Sequence, residues 1–250
     1  MREAFTYMFK DPGYNDKAIM YFVICFIALA LLASPEISNL NTAGMSQSPK
    51  VTPISNPIFA ILPLLGVLFN WIITGYYLTC VQAITKQNQN YVLPFINIGG
   101  SFIKGFKFTI ATILITLVLT LLGFIFAFVG PIGISLYSIS LLVLLFIFGN
   151  AFMWLFANEG KLSTFFAWKK VSKLVSGNCK NYFKNLFILI LITIAGALVS
   201  TIFMFLFNFL VSNMYVAWIL TSLEGAIVAS YTAFVSMYLI AKSIKVESVV

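Results

Sequence analysis

The stretch FTIATILITLVLTLLGFIFAFV, residues 108–129, holds no charged side chain and follows directly on Lys104 and Lys107. A bilayer core about 30 Å thick is crossed by about 20 apolar residues of helix. Backbone polar groups cannot lie unpaired in lipid, and the alternating pattern of a barrel strand is absent, so the stretch reads as a transmembrane helix. Five more stretches read the same way: residues 18–34, 57–84, 132–157, 186–211 and 215–241. The first is short for a full span, a mismatch that local thinning of the bilayer or flanking residues can absorb. Composition agrees, since 61% of the 250 residues are hydrophobic and only 9% are charged, against about 25% charged in soluble domains. The expected fold is an all-α integral membrane protein: a six-transmembrane-helix bundle with interfacial amphipathic helices, forming one membrane domain over residues 1–250.

Charge orients the pattern. Short loops rich in Lys and Arg stay cytoplasmic. Fourteen of the fifteen basic residues fall on one side of the six spans, in the N-terminal segment, the inner loops 85–107 and 158–185, and the C-terminal tail. The outer loop, residues 35–56, has Lys50 alone. Both termini are therefore expected in the cytoplasm, with the protein in the cell membrane. The segment before the first stretch is long for a signal peptide and carries Glu3, Asp11 and Asp16, so that stretch is expected to be a retained anchor. The net charge of +8 follows from topology and calls for no nucleic acid.

The inner segments have their own pattern. In residues 1–9, Ala4, Phe5, Met8 and Phe9 share a helical face, which suggests an interfacial helix ended by the turn at Asp11-Pro12-Gly13. In span two a kink is expected near Pro63. In the second inner loop Ser163 is placed as a helix cap. Phe165, Trp168, Val171 and Val175 recur at helical spacing with Lys169, Lys170 and Lys173 between them. With Lys180 and Lys184, these lysines are the candidate contacts for anionic lipid headgroups, worth about 1 kcal/mol each near such a surface. Shifting the chain by 77 residues places Phe106-Lys107 on Phe183-Lys184 and Ile113-Leu114-Ile115-Thr116 on Ile190-Leu191-Ile192-Thr193. That match suggests a parallel internal repeat, spans two and three mapping onto four and five.

These residues carry a family likeness. Glu3-Ala4-Phe5, Asp11-Pro12-Gly13-Tyr14, Pro63, Gly66, Asn70 and Gly75-Tyr76, then Gly160-Lys161-Leu162-Ser163-Thr164-Phe165-Phe166, Gly177-Asn178 and Tyr182, resemble an uncharacterised prokaryotic membrane-protein family, the domain of unknown function 4013. The chain is more loosely similar to the membrane domain of glycerophosphoryl diester phosphodiesterases. The resemblance implies a multi-pass architecture and no established activity, and the looser likeness lends no enzyme function, because no stretch outside the spans is long enough for the phosphodiesterase domain.

Chemistry is sparse. Histidine is absent, and the three cysteines, Cys25, Cys80 and Cys179, form no close-spaced pair, so no metal site, disulfide or cofactor is expected. No base stands beside any Ser or Thr to make a nucleophile. Gly99-Gly100 has no phosphate-loop lysine and reads as a loop breaker. No enzymatic activity is expected. Glu224 is the one acidic residue inside a span, about 14 Å deep at 1.5 Å per residue if the span starts near Tyr215. Intramembrane carboxyls are costly and often mark a path. Asn70, at similar depth, is the expected hydrogen-bond partner. Ser222, Ala226 and Ser230, with Gly225, Ala229 and Ala233, and Gly196 with Ser200, have the spacing of closely packed helices, expected to pack within the bundle. The functional expectation is a non-enzymatic component that organises lipid or a partner protein, whether a different chain or a second copy. The alternative is a small-solute or proton permease with Glu224 and Asn70 lining its path.

Overall fold

The long apolar stretches form long helices in the computed structural model, which describes residue 11 and residues 13–32, 57–86, 93–211 and 214–244. The expected interfacial helix over residues 1–9 and the outer loop 35–56 lie outside the described residues. Six long helices are described: α1 (Tyr14–Leu32), α2 (Pro57–Lys86), α3 (Ile98–Ala127), α4 (Pro131–Glu159), α6 (Cys179–Leu210) and α7 (Met214–Ser243). A short helix, α5 (Trp168–Gly177), follows a 3₁₀ turn at Leu162–Phe166. Five of the long helices are long and apolar enough to cross a bilayer as single rods. The sixth, α4, qualifies as a pair of segments, Pro131–Leu145 and Ile147–Glu159, bent by 42°. The chain is an all-α membrane protein.

The helices overrun the apolar stretches at one end. The segment around Gly99 and Gly100, expected to break structure, is instead the first turn of α3. Asn97 caps it: its side-chain oxygen accepts from the Gly100 N–H at 3.0 Å, which satisfies a donor with no partner inside the helix. Likewise Ser163 does not cap the interfacial helix. Residues Leu162–Phe166 are 3₁₀, and α5 starts at Trp168. At the other end of that helix Gly177 and Asn178 do separate it from α6, as expected. The helix α2 runs unbroken through Pro63.

Three helices make the centre. The Tyr21 ring of α1 lies 5.5 Å from Tyr76 of α2 and 5.1 Å from Phe234 of α7. The Tyr77 hydroxyl and Ser236 Oγ, 2.8 Å apart, join α2 to α7. On one flank α3 crosses α2, and on the other α6 crosses α7. The α2–α3 crossing is close because it is built on glycine. A Cβ on Gly75 would stand 1.7 Å from the Ser101 carbonyl oxygen, and one on Gly105 would stand 1.8 Å from that of Trp71.

This crossing separates the two halves of the apparent repeat. Under the 77-residue shift Gly75 and Gly105 correspond to Phe152 and Tyr182. Side chains of that size exclude the same approach. The helix lengths match under the shift, but α6 packs chiefly on α7 rather than on α4. The α4–α6 link is instead the Tyr182 hydroxyl donating to the Ile147 carbonyl.

Packing is uneven along the bundle. The buried cluster, from Tyr21 and Tyr76 through Phe156, Phe165 and Val171 to Met237 and Ile244, gathers at the end where the described lysines lie. At the opposite end Phe128, Ile132 and Phe209 are 92%, 73% and 81% exposed. Such apolar side chains are at rest in lipid, as the membrane assignment requires.

Candidate functional site

Glu224 sits on α7 with only 9% of its surface exposed. Its partner is Ser200 of α6, whose Oγ donates to Oε1 at 3.0 Å. Asn70 is not that partner. Asn70 is exposed on α2 and faces a different helix, α3, so the two intramembrane polar candidates do not share a site. The physical reason is the crossing of α6 on α7. Gly196 admits Val228 and Thr232, each 3.2 Å from where its Cβ would stand, and one turn further along α6 brings Ser200 opposite Glu224. The small residues Ser222, Ala226 and Ser230 are buried within the bundle, the intramolecular packing their spacing suggests, whereas in the second row Gly225 and Ala233 are half-buried and Ala229 is exposed.

Asn70 lines a groove of about 590 Å³ between α2 and α3. Its other polar lining comes from Thr74 and from Thr109, Thr112, Thr116 and Thr120, with Ile113, Leu117 and Leu121 beside them. Thr112, Thr116 and Thr120 are exposed. The signal for this face was present in the sequence as threonines three to four residues apart along one stretch, a helical spacing.

The candidate lipid lysines behave as a group. Lys169, Lys170, Lys173, Lys180 and Lys184 are all exposed. The apolar face of α5, Val171, Leu174 and Val175, is buried against the bundle rather than left free to enter lipid. Trp168 pins its start, 4.6 Å from Phe152 and 6.2 Å from Phe148 on α4. Phe165 precedes it in a nest of Phe108, Phe152 and Phe156. The helix is therefore a rigid mount for its lysines. Lys170 reaches Glu159 at 3.0 Å across an exposed surface, where such a pair contributes little. Among the described residues the other four have no acidic partner within ion-pair distance.

One feature escaped sequence reasoning. Lys17 belongs to the basic set that orients the chain, yet its ammonium is buried 2.8 Å from the Asp11 carboxylate. The Leu93 N–H donates to Asp11 Oδ2 at 2.8 Å and the Gly13 N–H to Oδ1 at 2.9 Å, while Phe95 presents its ring 4.8 Å from the Lys17 Nζ. Burial pushes the Asp11 carboxyl up, but the bonds from Lys17, Gly13 and Leu93 outweigh it and hold the group below its ordinary value of 3.8. The cluster ties the start of α1 to the segment between α2 and α3.

Among the described residues no group of His, Cys, Asp and Glu is placed to hold a metal ion. A bundle of long apolar helices with exposed apolar faces defines a multi-span membrane protein. A family model, Protein of unknown function (DUF4013), matches residues 58–208; the chain belongs to that family. A search of curated proteins and of solved structures finds no match, so the looser likeness to the phosphodiesterase membrane domain has no support there.

Proposed function

We propose that the protein is a non-enzymatic membrane component that gathers anionic lipid at its lysine-rich end, which faces the cytoplasm. The observation that carries this reading is α5 and the start of α6: the apolar face of α5 is spent on the bundle, while Lys169 and Lys173 of α5 and Lys180 and Lys184 of α6 stand exposed and, among the described residues, without acidic partners. A fixed array of cations at the headgroup level attracts anionic headgroups by about 1 kcal/mol per residue. The setting of Glu224 supports the same reading against a permease. Its carboxyl is closed between two packed helices and bonded to Ser200, a helix-joining contact.

Native mass spectrometry of the protein released gently from its membrane tests this. Anionic phospholipid is expected to co-purify, and substitution of the five lysines by Gln is expected to remove it. A stoichiometric protein instead of lipid would replace lipid with that partner in the same role. A bare monomer or dimer would overturn the reading.

A further inference from the structure

The α2–α3 groove poses a problem that lipid-organising lysines do not solve. Lipid-facing helix surfaces are apolar by default, because hydrocarbon offers no hydrogen bonds. A second groove in this protein obeys that rule. It lies between α6 and α7, measures about 480 Å³ and is lined by aliphatic residues such as Ile188, Leu191 and Val199, with Tyr231 and Thr232 its only hydroxyls. The α2–α3 groove is of similar size, yet six of its lining residues are polar: Asn70, Thr74, Thr109, Thr112, Thr116 and Thr120. Packing does not require them, since Thr112, Thr116 and Thr120 are exposed.

Their extent sets what they can serve. The lining runs from Phe108 to Leu121 along α3, about 20 Å at 1.5 Å per residue, or about two thirds of a hydrocarbon core of about 30 Å. Its lower end adjoins Lys107, exposed at the lysine-rich end. Polar groups thus continue from the headgroup zone deep into the bilayer on a face open sideways to lipid. We propose that this groove is a track for phospholipid headgroups crossing between leaflets, the acyl chains staying in the surrounding bilayer.

The chemistry selects among headgroups. Thr112 and Thr120 donate their hydroxyl hydrogens to the Phe108 and Thr116 carbonyls, at 2.9 and 2.8 Å. Their oxygens therefore meet the groove as acceptors. The track fits headgroups that carry hydroxyl or ammonium donors, namely glycerol and ethanolamine, better than choline, which has neither. Movement is downhill equilibration and needs no energy source. The inference goes beyond the lysine reading and does not depend on it, because the lysines bear on which lipid gathers and the threonines on whether it crosses.

The test uses the full chain in vesicles of phosphatidylethanolamine and phosphatidylglycerol holding a trace of acyl-labelled fluorescent phosphatidylethanolamine. Dithionite quenches only the outer leaflet of tight vesicles, and an enclosed soluble dye reports leakage. With the protein present, the protected inner half is expected to be quenched, and labelled phosphatidylcholine to follow more slowly. Thr112→Val with Thr116→Val and Thr120→Val, which keep shape and remove the hydroxyls, are expected to slow crossing about tenfold, or about 1.4 kcal/mol on the barrier. Should that variant fail to stay monodisperse, Asn70→Leu alone is expected to slow crossing in the same direction. Wild-type protein no faster than empty vesicles, or variants as fast as wild type, would overturn the track. Co-purified anionic lipid that still depends on the lysines would then leave the earlier reading standing, so the two fail separately.

Discussion

Lys17 and Asp11 form an ion pair 2.8 Å long whose side chains are 3% and 2% exposed. Six residues apart, they span the turn into α1, and Asp11 also accepts the backbone N–H of Leu93. A buried pair of this kind adds little over apolar substitutes but is costly to break on one side, about 3–5 kcal/mol, because a buried charge is left alone. Asp11→Ala strands the Lys17 ammonium and the Leu93 and Gly13 donors together. It is expected to lower the unfolding temperature in detergent strongly. Lys17→Met with Asp11→Asn should recover much of the loss. Equal damage in single and double variants would show that the contact is not coupled.

The same carboxylate makes stability depend on acid. Its folded value lies below the ordinary 3.8, so the unfolded chain takes up the proton first as pH falls. The stabilisation is complete above that ordinary value and is lost as pH drops through the depressed folded value. Thermal unfolding of the wild type is expected to be flat from this group above pH of about 5 and to fall steeply in stronger acid. Asp11→Asn should blunt the acid slope, and an unchanged slope would assign it to other carboxylates.

The crossing of α2 and α3 leaves no room for a methyl group. At Gly75 and Gly105 the obstruction is backbone carbonyl, at 1.7 and 1.8 Å, so the helices themselves must part. Gly75→Ala or Gly105→Ala is expected to cost about 3 kcal/mol, at the upper end for overpacking. Gly149 of α4 is the control, for a Cβ there meets nothing within 4 Å. Gly149→Ala should be neutral or stabilise by up to about 1 kcal/mol through helix propensity. Similar losses at all three positions, read by unfolding in detergent, would deny that the crossing is close.

Much of this architecture was legible because bilayer thickness writes itself into apolar run length. Charge-free runs such as residues 108–129 and 186–211 predict α3 and α6. The overrun of α3 into the lysine-rich segment was not legible, because the Asn97 cap rescues a Gly99-Gly100 pair that propensity alone condemns. By its charge Lys17 counts only toward orientation, since periodicity carries no information about a partner six residues upstream and a backbone donor at Leu93. The pairing of Glu224 with Asn70 rested on depth, and depth does not say which helices touch. The small-residue spacing of Gly196 and Ser200 marks a close-packing face on α6, and the structure sets that face against α7.

That contact separates a packing carboxyl from a working one. If Glu224 serves to join α6 to α7, Glu224→Gln keeps an acceptor for Ser200 and should leave unfolding nearly unchanged. Glu224→Leu abandons the Ser200 hydroxyl, and Ser200→Ala removes the donor; each is expected to cost about 1 kcal/mol. The double variant measures the coupling, expected near 0.6 kcal/mol, the average for interhelical hydrogen bonds in a membrane. Flux assays in proteoliposomes supply the opposing outcome. Proton or solute flux that Glu224→Gln abolishes, with folding intact, would make the carboxyl a working group and favour the permease over the lipid-organising reading.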